Sequence, residues 1–369
     1  MDSPTHEAFD DLIETLTEAK NRWASEKWNL RNAQEVAEAH KNIAHMLEGG
    51  LACYFAMDPM YPRMTRMFTP ERKYFGDNPD AMYYDSPISR DHAYVMRGKM
   101  VGAVYVSITI DAGMEDGAFS SGTLAIINDK EFDVAEDGSF ELWLGGEKRE
   151  RNWLEMPEGT SRITTRHYFE DEIPAAANPA KDPQWFIERV SPAPQRPYNT
   201  PDDIAAGLRR VSKFIRTRTL DRPAFGQGGT PPPFVSFTPN EFPAPTPPGD
   251  FGWSAIDAHY CMAPYYVGEG QAILITGRWP ECRMANLSLW NRFLQTYDFA
   301  HANISLNRTQ TTLEKDGTFR IAIAHEDPGI PNWIQTQGQP FGMAFWRFML
   351  AEGEVETPQA ELVDLASLK

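Results

Sequence analysis

Asp137–Leu144 reads DGSFELWL, and Asp316–Ile323 reads DGTFRIAI. The two phrases start 179 positions apart. Each places Asp-Gly, a turn former, directly before an apolar run, as in a turn that feeds a β-strand. Asn152-Trp153-Leu154 follows the first copy and Asn332-Trp333-Ile334 the second, 180 apart. RITTRHYF (162–169) then aligns with GMAFWRFM (342–349), matching Arg166 to Arg347. Upstream, YVMRG (94–98) aligns with ILITG (273–277), matching Gly98 to Gly277. Further up, AMYYDSP (81–87) aligns with DAHYCMAP (257–264), matching Tyr83 to Tyr260 and Pro87 to Pro264. Landmarks in one order at nearly constant spacing mark an internal duplication with a period near 180 residues. That period is the size of a domain, so the chain holds two related domains and not a solenoid.

Each unit reads as β. VGAVYVSITI (101–110) is rich in β-branched residues. In SRITTRHYF, Arg162, Thr164, Arg166 and Tyr168 alternate with Ile163, Thr165, His167 and Phe169, so the two sets face opposite ways. Short strands broken by Gly, Pro, Asn and Asp fit a sandwich or jelly roll. Helices lie outside the units. Ser3-Pro4 opens the first, whose expected apolar stripe is Phe9, Leu12, Ile13, Leu16 and Trp23. Asn32 with Glu35 opens a second, expected to stop at Gly49-Gly50. Thr200-Pro201 opens a third carrying Ile204, Leu208, Val211 and Ile215. Arg222–Asp250 holds nine prolines and reads as an extended connector packed over the domains. The expected class is mainly β with added helices: two duplicated β-sandwich or jelly-roll-like domains plus an N-terminal helical segment. The expected boundaries are 1–60 for the helical segment, 61–199 for the first repeat, 200–250 for helix and connector, and 251–369 for the second repeat.

Composition narrows the function classes. The 369-residue chain carries a formal net charge of −17, which argues against nucleic acid and against an anionic membrane surface. The acidic start MDSPTHEAFDD lacks the layout of a signal peptide, and no run of about 18 apolar residues occurs. Cys53, Cys261 and Cys282 show no CxxC spacing and read as reduced, packed thiols. A cytoplasmic location is expected on these grounds. GxSxG, GxxxxGK[ST] and GxGxxG are absent, which disfavours common α/β hydrolases, P-loop enzymes and Rossmann dehydrogenases.

RKYFGDNPDAMYYDSPI (72–88), DGSFELWL, NWLEMPEG (152–159) and TRHYF (165–169) together resemble the bacterial family known as domain of unknown function 1214. LNRT (306–309), DGTFRIAI, NW and FWRF carry the resemblance in the second unit. It covers about two thirds of the chain, in tandem copies. The resemblance implies a β-sandwich of jelly-roll type and no settled activity. NWIQTQGQP (332–340) departs from the first unit by lacking the Pro of LEMPEG.

Candidate chemistry gathers in the lead-in to the first unit and at the strand ends. Arg72, Lys73, Asp77, Asn78, Asp80, Tyr83 and Tyr84 crowd around Gly76 and Pro79. Asp and Asn there also serve as turn formers. Arg72, Lys73 and Asn78 are candidates for holding a substrate anion. His167 is the candidate base, with Asp77, Asp80 and Tyr83 as its partners in acid–base chemistry. Strand alternation turns His167 away from Arg166 and Tyr168, which also fits a hydrogen-bonded structural histidine. Arg166 and Arg347 recur at one position of both units, which favours a shared structural job such as pairing with a carboxylate, and both are also candidates for binding substrate. His259 and Tyr260 are further binding candidates. Asp257, His259 and Cys261 share a strand face, yet no second ligand cluster, HExxH or HxH accompanies them. No metal and no cofactor is therefore expected.

The expected partner is a small-molecule ligand, with homo-oligomer formation left open. The leading expectation is a cofactor-independent hydrolase or lyase acting on a small apolar or aromatic molecule, in a pocket between the units or under the connector. The alternative is a non-catalytic ligand-binding or self-assembling jelly-roll protein.

Overall fold

The recurring phrases do the same local work in both units. Asp137 Oδ1 accepts the Ser139 N–H at 3.0 Å and its hydroxyl at 2.6 Å. Asp316 Oδ1 accepts the Thr318 N–H and hydroxyl at the same distances. Gly138 and Gly317 sit between them at φ +79° and +81°, a region where a side chain would be strained. Asn152 then donates to the Glu141 carbonyl and accepts the Asp133 N–H. Asn332 donates to the Arg320 carbonyl and accepts the Thr312 N–H. The next tryptophan, Trp153 or Trp333, bonds the carbonyl of Gly145 or Ala324. These side chains satisfy backbone groups that a loop leaves open, which is why the phrases recur.

The structure is a computed structural model that describes residues 3–224, 226–249 and 253–368. Asp250, Phe251 and Gly252, at the end of the Pro-rich stretch, lie outside the described residues, as do Met1, Asp2, Phe225 and Lys369. The first unit contributes β1 (Thr65–Arg66), β2 (Ala81–Pro87), β3 (Tyr94–Lys99), β4 (Tyr105–Ala112), β5 (Gly122–Asn128), β6 (Ser139–Leu144), β7 (Trp153–Leu154), β8 (Thr160–Tyr168) and β9 (Phe186–Arg189). The second contributes β10 (Ala258–Tyr266), β11 (Gln271–Gly277), β12 (Met284–Trp290), β13 (Ser305–Asn307), β14 (Phe319–Ala324), β15 (Trp333–Gln335), β16 (Phe341–Met349) and β17 (Gln359–Asp364).

Four sheets form, in the orders β1-β2-β8-β4-β5, β7-β6-β3-β9, β10-β16-β12-β13 and β15-β14-β11-β17. Replace each strand of the first unit by its repeat equivalent and the second pair of sheets follows, with β1 as the one addition. Each pair closes on its own apolar core. Ile108, Ile110 and Ile163 meet Met96, Leu142 and Leu144 in the first. Leu287, Leu289 and Trp346 meet Ile273, Ile275 and Ile321 in the second. The chain is thus mainly β and holds two sandwiches of one strand order.

The matched glycines have a packing reason. Gly98 lies opposite Phe140 and Gly277 opposite Phe319 in their ladders. A Cβ on Gly277 would come within 2.8 Å of the Phe319 ring. That ring is buried and stacks on Trp346, so it has little room to yield. Gly277→Ala is expected to cost about 1–3 kcal/mol, as overpacking does. The urea midpoint would show it, with a value near that of the parent chain counting against the packing account.

Three helices cover one side: α1 (Pro4–Trp23), α2 (Ala33–Gly50) and α3 (Pro201–Arg218). Ser3, Asn32 and Thr200 cap them through their side chains, and Thr200 with Asp203 forms a full capping box. One expectation needs correction and one needs refinement. α1 buries Ala8, Leu12, Thr15, Ala19 and Trp23, while Phe9 and Ile13 remain 54% and 52% exposed. Small Ala8 and Ala19 let α1 lie close to its neighbours and join Leu12 and Trp23 of the expected stripe on the buried face. α2 ends as an α-helix at Gly50, where the sequence places its stop, but the chain does not turn away there; it runs on into a π-helical turn, Leu51–Phe55. A Cβ on Gly49 would strike Tyr74 at 2.5 Å, and one on Gly50 would meet Val211 at 3.0 Å. These glycines permit contact and do not break the helical path of the chain.

The Pro-rich connector runs beside β10, the edge of its sheet. Met262 N–H bonds the Phe234 carbonyl at 2.7 Å, and Ser236 N–H returns to Met262 at 2.8 Å. Tyr260 and Thr246 exchange two bonds at 2.8 and 3.0 Å. A segment that cannot be a central strand thus shields an edge that would otherwise stand open. No helix among the described residues is long and apolar enough to cross a membrane.

Candidate functional site

The sheets β1-β2-β8-β4-β5 and β10-β16-β12-β13 turn their second faces toward each other and toward the helices. In the first, Tyr83 pairs across the ladder with Arg166; in the second, Tyr260 pairs with Arg347. The duplication matches these same residues. Each arginine then crosses to the other unit. Arg166 Nη2 bonds the Trp253 carbonyl at 3.2 Å, and Arg347 Nη2 bonds the Gly76 carbonyl at 2.9 Å. Tyr83, Tyr168 and Tyr260 lie in the same buried cluster, and burial raises the pKa of all three phenols. They therefore stay protonated and can donate.

The structure brings Tyr83, Arg166, Tyr260 and Arg347 together. It does not bring His167 to them. His167 is fully buried on the opposite face of β8, against Phe140, Phe169 and Trp185. One ring nitrogen bonds the Lys99 carbonyl at 2.9 Å, and burial lowers its pKa to about 4. It is a neutral ring inside the first sandwich, with no carboxylate in contact. The grouping of His167 with Asp77, Asp80 and Tyr83 is not formed.

The other lead-in residues tie elements to one another. Arg72 bonds the Arg66 and Met67 carbonyls and pairs with Glu48 at 3.0 Å. Lys73 donates to the Tyr297 carbonyl at 2.7 Å and lies over Phe299; burial lowers its pKa. Asp77 accepts the N–H and hydroxyl of Thr296, and burial raises its carboxyl pKa. Asn78 Oδ1 accepts Asn286 Nδ2 at 2.7 Å. Asp80 accepts Asn286 at 2.8 Å and Asn307 at 3.1 Å, and burial pushes its carboxyl up to about 7. All these bonds, except those of Arg72, join the first unit to the second.

Asp257, His259 and Cys261 do not converge. Asp257 accepts the Tyr105 hydroxyl, His259 is half-buried opposite Phe348, and Cys261 Sγ donates to the Pro243 carbonyl. Among the described residues no three His, Cys, Asp or Glu side chains gather as a metal would require.

A cleft of about 360 Å³ opens on Tyr260 and Arg347. Its walls include Trp23, Trp28, Phe75, Phe119, Trp253, Trp290 and Phe345. The connector roofs it with Pro231, Pro232, Phe234 and Val235, and Arg218, Arg222 and Arg292 add charge. The cleft thus lies between the units and under the connector. The walls come from α1 and the turn after it, the lead-in before β2, the loop between β4 and β5, the connector, β12 and β16, so no single spacing in the sequence announces them. The ten tryptophans were the one signal, and four of them are here.

Comparisons with known proteins follow this architecture. An uncharacterized protein from Burkholderia cenocepacia, solved by crystallography, is 24% identical to this chain. The match covers 98% of this chain and 97% of that one, with a TM-score of 0.83. The two share the fold over nearly their whole length. A crystal structure from Vibrio parahaemolyticus matches at 12% identity, over 86% of this chain and 99% of that one, with a TM-score of 0.49. No curated protein matches. The family model described as "Protein of unknown function (DUF1214)" matches residues 84–171 and 288–351, one stretch in each sandwich. Two segments of the chain therefore match the DUF1214 family model, one in each repeat, as the resemblance of the repeated motifs implied.

Proposed function

We propose that the protein binds a small apolar or aromatic molecule in the cleft under the Pro-rich connector and does not transform it. The observation that carries this reading is the composition of the walls. Aromatic rings and prolines surround a volume suited to a small ligand. Among the described lining residues there is no carboxylate, histidine, cysteine or lysine. General acid–base catalysis needs a group that titrates near the working pH, and such groups lie elsewhere. His167 is sealed in the first sandwich, and Asp77 and Asp80 are held by Thr296 and by asparagines. The non-catalytic, ligand-binding alternative is therefore the better reading.

The test is titration of tryptophan fluorescence with neutral one- and two-ring aromatics, followed by analysis of the recovered ligand. Saturable quenching with unchanged ligand is expected. Ala224→Trp, which fills the cleft from a buried lining position, is expected to abolish it while circular dichroism stays native. Absence of saturable quenching, or a chemically altered ligand, would overturn the proposal.

A further inference from the structure

We propose that the ligand of this cleft is an organic carboxylate, with Arg347 and Tyr260 as the anchor for its anionic head and the aromatic walls as the seat for a flat body. This rests on the binding reading above and specifies its ligand class.

Arg347 is 4% exposed and lines the cleft. Its Nη2 is taken by the Gly76 carbonyl, while its Nη1 has no partner. The guanidinium lies over the Phe345 and Trp290 rings, 4.4 and 5.1 Å from their centroids. Among the described residues no ion pair joins it. Asp77 is a buried carboxylate that feels its charge, but both oxygens of Asp77 are turned to Thr296. A buried cation with an idle N–H group is costly unless an anion meets it.

Tyr260 stands directly across the ladder from Arg347 and lines the same cleft. Its oxygen accepts the Ala255 N–H at 2.9 Å, which leaves its own phenolic proton free to be donated. A guanidinium N–H and a phenol side by side match the two oxygens of a planar carboxylate.

The wider cleft agrees in charge. Four arginines line it, and among the described lining residues no Asp or Glu does. Of these, Arg292 is neutralised by Glu35 at 2.6 Å. Among the described residues no ion pair joins Arg222: its guanidinium sits against the Phe75 and Phe119 rings at 4.3 and 4.1 Å. Burial and the neighbouring Arg218 lower its pKa to about 10, so it keeps its charge at neutral pH. A cationic, aromatic recess in a chain of net charge −17 selects an anion with an apolar body.

The experiment compares 2-naphthoate with naphthalene-2-methanol, its neutral counterpart, on the full chain by tryptophan quenching and calorimetry. The carboxylate is expected to bind about tenfold or more tighter, the scale of a charge-assisted contact. In Arg347→Gln the ratio of the two affinities is expected to fall toward one, and Arg347→Lys is expected to restore only part of it, because lysine is a point charge. Arg222→Gln, at a less buried site, is expected to lower the ratio severalfold and provides the test where Arg347→Gln fails to fold. Equal binding of both probes to the parent chain would overturn the carboxylate inference and leave the cleft reading standing. So would a ratio that survives Arg347→Gln or, where that variant does not fold, Arg222→Gln. Binding of neither probe would overturn both.

Discussion

Asp85→Ala is expected to cost about 3–5 kcal/mol of folding stability, because it strands a buried guanidinium. Arg162 and Asp85 are each 1% exposed and joined through the Arg162 Nε at 2.8 Å and a second contact from Nη2. Arg162 also bonds the Cys53 carbonyl at 3.0 Å and lies over the Tyr54 ring at 4.2 Å. The pair thus rivets β8 to the turn that follows α2. Burial pushes the Asp85 carboxyl above its ordinary range, and Arg162 opposes that shift. Neither charge has water to fall back on, so each depends on the other. Arg162→Met is expected to be similarly harmful, since it leaves the carboxylate alone. The double variant Asp85→Leu with Arg162→Met is expected to recover at least half of the loss, because replacing a whole buried pair by apolar groups is often close to neutral. Urea unfolding of the parent chain, Asp85→Leu, Arg162→Met and the double variant measures the coupling. Single effects that simply add would refute it.

Legibility in the sequence followed the range of the interactions. The sandwich repeat was readable because its markers act locally: Asp137 and Asp316 close turns two residues on, and Asn152 and Asn332 mend the next loop. Such bonds fix residue identity at fixed spacing. The faces of β8 were readable for the same reason, since alternation alone separates His167 from Arg166. Helix α1 was misread because counting apolar residues overlooks Ala8 and Ala19, which bury by being small. Gly49 and Gly50 do mark the end of the α-helix, but the reason for them lies on Tyr74 and Val211, far away in sequence.

The candidate site divides along the same line. Tyr83, Arg166, Tyr260 and Arg347 could be named because the duplication placed them at matching positions. What the matching could not tell is that the two sets face one another, each arginine reaching the other unit's backbone. Duplication followed by face-to-face docking makes a doubled polar pair inside one interface. The two halves then diverged in their surroundings. Arg166 is satisfied by Thr109 and Trp253, while Arg347, which lines the cleft, keeps one buried nitrogen without a partner. The walls gathered from α1 and the connector belong to no repeat, so they were invisible until the chain was folded.

Asp80 provides the second large effect, and its sign follows from linkage. The carboxylate is fully buried where β2 meets β12 and β13, and its hydrogen-bond partners, Asn286 and Asn307, are neutral. Burial pushes its pKa up to about 7; the two amides act against that rise, and Glu170 and Asp171 add to it. Glu170 and Asp171 are themselves paired, with Arg308 and Lys181. An unfolded aspartate titrates near pH 4. Below about pH 4 both states hold the proton, and the stability contribution is fully present. As pH rises toward 7 the unfolded chain releases the proton and the folded chain keeps it, so that contribution is lost, at up to about 1.4 kcal/mol per pH unit. Asp80→Asn removes this titration and leaves every other group unchanged. The stability of the parent chain minus that of Asp80→Asn is therefore expected to fall by a few kcal/mol between about pH 4 and pH 7, then level off. Urea unfolding of both proteins across that range measures the difference. A difference that stays flat from pH 4 to 7 would mean that the two asparagine amides hold Asp80 ionised throughout. The seam between the sandwiches would then owe its strength to those hydrogen bonds and not to a retained proton.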